Sequence, residues 1–213
     1  MAYIFRLSSD LSWINCDFVG GEPQKTTMVP WEGGGTREFG FETFFLFSKK
    51  MPEAMFSHGP RRVNINPNPD GEVGDVGPAP EYDTLIVSDK LKSLISRFEP
   101  NLHQFIRVPE VAIGGALDGG KKFWLLNVLV QLAAVSIEKS RVRFKERNGL
   151  RHMGPRGFGK EELSLQKSVI DGHHLWRGTR EQLQIYSFCS DALHDAILNE
   201  NIRGLDFRHC SEV

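Results

Sequence analysis

A chain of 213 residues with 40% hydrophobic and 25% charged side chains has enough apolar mass for one good core or two small ones, which excludes a disordered chain. Its formal net charge of -1 excludes the strongly basic balance on which nucleic-acid affinity rests. Cys16, Cys189 and Cys210 form no close pair, so neither a disulfide framework nor a zinc ribbon is indicated and the thiols are expected to be reduced and structural.

The opening Met1-Ala2-Tyr3-Ile4-Phe5-Arg6-Leu7 is too short and weakly charged for a secretion signal, so a cytoplasmic protein is expected. The longest apolar run, Phe123 to Val135, is interrupted by Asn127 and Gln131 and belongs to a core and not to a bilayer. The fold class expected is α+β: an antiparallel β-rich N-terminal layer, followed by two similar strand-helix-strand units around a central apolar helix or strand.

In chain order, residues 1–58 read as the β-rich region, with strands at Tyr3–Leu7 and Phe39–Phe47. Residues 59–80 read as a surface loop or linker, because their spaced prolines and glycines oppose regular helix and central strand. Residues 81–213 read as the main α+β domain. There Thr84-Leu85-Ile86-Val87 forms a strand, Ser88-Asp89 a helix start, and Leu91, Leu94, Ile95 and Phe98 one face of a helix that Pro100 ends. Gln104–Val108 returns as a strand. The same grammar recurs from Gln184 to Phe207, and residues 82–111 align without gaps on 184–213 at an offset of 102, with seven identities in thirty positions. Between the copies, Phe123–Gln131 fits a buried helix or a strand. Lys139–Arg147 reads as an extended strand with Arg141, Arg143, Lys145 and Arg147 on one face, and Gly149–Lys160 as a loop.

Chemistry-bearing motifs are sparse. Gly33-Gly34-Gly35 and Gly114–Gly120 lack the lysine and the strand-to-helix setting of a phosphate loop and read as turns. His173 and His174 are adjacent, so on a strand they point to opposite faces and do not chelate one ion together. Asp191 and Asp195 read as a cap and a solvated carboxylate. Cys189 precedes a helix start and is the best nucleophile candidate, yet its counterpart Val87 marks the slot as a small buried one. The basic face at Arg141 and Arg143 reads first as a solvated edge strand and second as a phosphate-binding surface.

The two strand-Ser-Asp-helix-strand units, with Phe123-Trp124-Leu125-Leu126-Asn127-Val128 and Ile137-Glu138-Lys139-Ser140, resemble the imm-eleven family of immunity proteins from bacterial polymorphic toxin systems. The closing stretch is most similar: His174-Leu175-Trp176-Arg177 before a strand, Ser190-Asp191-Ala192-Leu193 into a helix, then Arg203-Gly204-Leu205-Asp206-Phe207. The resemblance runs from about Tyr82 to Phe207. It implies an immunity protein, not an enzyme, that binds a cognate toxin acting in the cytoplasm and occludes its active site. The partner implied is that toxin, encoded by a neighbouring gene, with a homodimer as the other assembly allowed, and with no nucleic acid, membrane, cofactor or metal. Trp31, Arg141, Arg143, Trp176 and Arg177 are the partner-binding residues expected, as exposed aromatic and charged hot spots. Two rival readings stand: a hydrolase built on Cys189 or His174, and a nucleic-acid module using Arg141, Arg143 and Lys145.

Overall fold

The computed structural model describes residues 2–7, 16–19, 26–30, 36–40, 44–45, 48–67, 70–79, 84–141, 144–147, 150–153, 163–179, 182–183 and 186–213. The chain opens on β1 (Ala2–Leu7), then β2 (Cys16–Val19) and a hairpin of β3 (Thr26–Pro30) with β4 (Thr36–Gly40). A 3-10 helix at Glu53–His58 leads to β5 (Arg62–Ile65) and β6 (Val76–Ala79). Next come β7 (Thr84–Ser88), α1 (Asp89–Phe98), β8 (Gln104–Arg107), β9 (Glu110–Ile113), β10 (Ala116–Leu117) and β11 (Phe123–Asn127). After β12 (Gln131–Leu132) lie the hairpin of β13 (Phe144–Arg147) and β14 (Leu150–Met153), β15 (Ser164–Leu165) and the one-turn α2 (Lys167–Ile170). The last elements are β16 (Leu175–Gly178), β17 (Ser187–Ser190), α3 (Asp191–Asn199) and β18 (Leu205–Glu212). The fold is α+β and mostly β.

The two strand-helix-strand units are built alike. The first sheet has the order β6-β7-β11-β8, and the second contains β16-β17-β1-β18. In both, a strand from elsewhere in the chain is inserted between the unit's own two strands: β11 in the first, the N-terminal β1 in the second. The registers coincide at the offset of 102. Trp124 faces Val87 and Arg107, and Tyr3 faces Cys189 and His209. Each helix begins the same way, with Ser88 Oγ accepting from Leu91 N–H and Ser190 Oγ from Leu193 N–H. The cap is the serine in both, and Asp191 is the first helical residue, where its charge suits the positive end of the helix dipole. Ser88→Ala and Ser190→Ala are each expected to cost about 1 kcal/mol in denaturant unfolding, and the double replacement their sum.

Alternating side chains divide the molecule into three cores. Val87, Leu126, Phe5, Cys189 and Leu175 point to the middle layer, where they meet Leu91, Leu94 and Ile95 of α1 and Leu193 and Ile197 of α3. The helices pack against each other there. Ile86, Leu125, Phe123 and Ile106 face outward onto Phe44, Phe45, Met51, Met55, Val63 and Ile65. Ile4, Phe188 and Trp176 face the opposite way, onto Ala134, Val135, Leu163, Leu165 and Ile170.

Several local expectations change. The 59–80 segment holds two short strands. Its prolines bound them, and Pro78 sits in β6 at the sheet edge, where its missing N–H costs no ladder bond. The boundary at residue 58 is crossed by pairing, since β1 lies between β17 and β18 and β2 pairs with β5. The strand expected over Phe39–Phe47 ends at Gly40. Phe44 and Phe45 instead sit in a helical turn that buries both adjacent rings, which a strand would send to opposite faces. Phe123–Asn127 is a strand and not a helix, paired on both sides. Residues 137–139 form a turn, and the basic strand begins only at Phe144. Leu150–Met153, expected as loop, is a strand.

Candidate functional site

Each unit ends in a cleft over its helix N-terminus, and the two clefts occupy equivalent places. The first, of about 240 Å³, is lined by Val73, Gly74, Asp75, Ser88, Asp89, Lys90 and Phe123, with Gly120, Lys121 and Lys122. The second, of about 300 Å³, is lined by Gly172, His173, His174, Ser190, Asp191, Ala192 and Ala2, with Lys167, Asp171 and Glu212 among the rest. Within the first, Ser88 Oγ donates to Asp75 Oδ1 at 2.7 Å. In the second, Ser190 Oγ is bonded to His174 Nδ1 at 2.8 Å. The cap hydroxyl is therefore doubly engaged in both, bonded to a carboxylate in the first cleft and to an imidazole in the second.

The residues before β6 and β16 also tie one unit to the other. Asp75 donates its N–H to the Arg203 carbonyl and accepts the Arg203 N–H on Oδ2, at 2.9 and 3.0 Å. Gly204 follows with φ +108 and passes so close to β6 that a Cβ would lie 2.9 Å from the Val76 carbonyl oxygen. Reciprocally, Glu99 at the end of α1 accepts the N–H groups of His174 and Leu175, at 2.7 and 3.1 Å, and is hydrogen bonded to His103 Nε2. Burial alone pushes the Glu99 carboxyl up, but the His103 bond and the two backbone donors outweigh it and hold its pKa below the ordinary value.

Around the middle layer, the two units carry matched aromatic contacts. Lys92 Nζ lies 4.4 Å from the Trp124 ring centroid, and the Trp124 indole N–H donates to Asp89. At the equivalent positions His194 stacks on Tyr3 at 3.8 Å and meets Phe207 edge-on. Partial burial and the carboxylates of Asp191 and Asp195 push the Tyr3 hydroxyl pKa up.

The expected site residues fare unequally. Arg141 is exposed beyond the 137–139 turn. Trp31, Arg143 and the Gly33–Gly35 run lie outside the described residues, as do the side chains of Lys145 and Cys16. Trp176 and Arg177, expected on the surface, are 1% and 5% exposed. Trp176 stacks on Phe188, and Arg177 spends its guanidinium on the Phe45 carbonyl, so both are framework groups. Cys189 is fully buried and its pKa is raised well above a free thiol's by burial, with the neighbouring Cys210 and Asp191 adding to it. Burial pushes Cys210 up to about 12. Both thiols are therefore protonated at neutral pH and unsuited to nucleophilic attack. His173 and His174 are half-buried beside α3, and no group of three or more metal-ligating side chains assembles among the described residues. Gly114 and Gly115, with φ +57 and +87, make the tight turn between β9 and β10.

Glu99, at a helix end, and Lys121-Lys122, just past the Gly114–Gly120 turn, carry no local motif in the sequence. Both pockets that flank those lysines are open clefts of about 200 and 240 Å³. No helix among the described residues is long and apolar enough to cross a membrane.

A search of the curated proteins found no match. The family model described as Immunity protein family (Imm11) does match, over residues 34–212. That span begins just before β4 and reaches the end of β18, so it takes in both strand-helix-strand units, the first unit's inserted strand β11 and much of the region upstream of Tyr82, while β1 lies ahead of it. The chain belongs to the Imm11 immunity protein family.

Proposed function

We propose that this protein protects a cell by binding a cognate protein toxin in the cytoplasm and occluding the toxin's active site. Membership of an immunity family carries the reading. The character of the molecule supports it: buried, protonated thiols and open clefts that suit contact with another protein's surface better than enclosure of a small substrate. Binding has to outcompete the toxin's own substrate, so an interface of about 1,600 Å² or more is expected. Trp31, Arg141 and Arg143 are proposed contributors. Trp176 and Arg177 act on the interface only through the framework they hold.

The test is co-expression with the product of the neighbouring gene, scoring growth and co-purification. Full rescue with a stable one-to-one complex is the expected result. A culture killed at the same rate with and without the protein sinks the proposal, and rescue without a complex points to enzymatic reversal of the damage.

A further inference from the structure

Two units with one architecture act as controls for each other. Lys90, Lys92, Arg97 and Arg107 of the first unit correspond to Ala192, His194, Asn199 and His209 of the second. The second unit builds the same ladder, cap and helix without a lysine or arginine at any of these positions, so the fold does not require the cations. Three of them are occupied nonetheless: Lys90 donates to the Glu200 carbonyl, Arg97 pairs with Glu200, and Lys92 covers Trp124. Arg107, exposed at the end of β8, makes no side-chain hydrogen bond or ion pair among the described residues.

Arg107 shares a cleft of about 200 Å³ with Glu110, Leu117, Asp118, Lys121 and Lys122. Lys121 and Lys122 are exposed and form no close ion pair among the described residues, the Lys121 charge reaching the Asp118 carboxylate only at longer range. The carboxylates beside them are engaged. Glu110 pairs with Arg62 at 3.1 Å, Asp118 accepts the N–H groups of Gly120 and Lys121, and Asp89 accepts the Trp124 indole N–H. Leu117, in their midst, is 66% exposed, the largest exposure of any large hydrophobic residue described. The platform is also fixed in place: Asp89 N–H donates to the Lys122 carbonyl, and the Asp118 bonds hold the turn. A pre-ordered surface loses little entropy on binding.

Resting on the immunity reading, we propose that Arg107, Lys121 and Lys122 around Leu117 form the toxin-docking surface, and that it fits an acidic protein patch with an apolar recess for the leucine. Complementary charge of this kind sets encounter rate and specificity, while the apolar centre excludes water. A protein occupant is favoured over nucleic acid because Glu110 and Asp118 are interleaved with the cations and a protruding leucine gains nothing from phosphates.

The test uses the full chain and purified, catalytically inactivated product of the neighbouring toxin gene, with every variant checked for wild-type melting. Lys121→Glu/Lys122→Glu is expected to weaken binding by about 100-fold and to abolish growth rescue, and Arg107→Glu by about 10-fold. Leu117→Ser is expected to raise the off-rate with little change in on-rate, and Lys167→Glu, beside the second unit's cleft, to stay within about threefold of wild type. Wild-type binding and rescue with all three docking variants also within about threefold overturns the surface and leaves the immunity reading standing. Failure of the wild type itself to bind or rescue overturns both. Tight, salt-sensitive binding to duplex DNA or RNA that the same reversals abolish overturns the protein-docking assignment.

Discussion

Glu99→Ala is expected to destabilise the protein by about 3–5 kcal/mol at neutral pH, because it removes the acceptor at the centre of a buried hydrogen-bond network and strands its donors. Glu99 is 5% exposed, and its two oxygens satisfy His103 and the N–H groups of His174 and Leu175. His103, itself 7% exposed, accepts the Leu129 N–H on Nδ1, which places its proton on Nε2, aimed at Glu99. Alanine leaves three buried donors without an acceptor. Glutamine keeps the shape but offers one acceptor oxygen, so it is expected to recover only part of the loss. The pH dependence has a definite sign. The folded carboxyl titrates below its ordinary value of 4.5, so its contribution is complete above that value and is lost as pH falls through the lower, folded pKa. Urea unfolding of wild type and Glu99→Ala at neutral pH and at about pH 3 should therefore show a gap that narrows in acid. A gap that stays constant or widens in acid shows that the carboxylate charge is not what the network uses.

Why this residue escaped the sequence reading is instructive about which interactions leave a trace. Ser88-Asp89 and Ser190-Asp191 announce two helix starts because a cap acts within three residues, and both serines do cap. The apolar spacing of Leu91, Leu94 and Ile95 likewise identifies a buried face that the middle core uses. Nothing local tells that β1 fills, in the second sheet, the slot that β11 fills in the first. That equivalence appears only when Tyr3 and Trp124 are seen opposite positions 102 apart. Glu99 and His174 are 75 residues apart, and a glutamate at a helix end is ordinary in sequence. Surface chemistry is harder still. Trp176-Arg177 has the composition of a binding hot spot and is buried, whereas Lys121-Lys122 has the look of a solvated turn and stands out only because its neighbouring carboxylates are all engaged.

Arg177→Ala is expected to cost about 3 kcal/mol and to loosen one particular segment. The Arg177 guanidinium donates to the Phe45 carbonyl at 2.7 Å, while its backbone N–H donates to Val130. From the first sheet, Gln104 exchanges two hydrogen bonds with the Met51 backbone and Asn127 donates to the Lys49 carbonyl. Phe45, Lys49 and Met51 are thus stapled to the two sheets between them, and Phe44, Phe45 and Met51 enter the outer core. Truncation leaves a buried carbonyl without this donor and a cavity beside it, so the denaturation midpoint should fall and limited proteolysis should cut near Phe44–Met55 under native conditions. Arg177→Lys keeps the charge without the planar fork and should fall between. Toxin binding by the folded fraction should be unchanged. If instead Arg177→Ala melts like the wild type and loses the toxin, the guanidinium serves the interface directly, and the surface role first read from the sequence is reinstated.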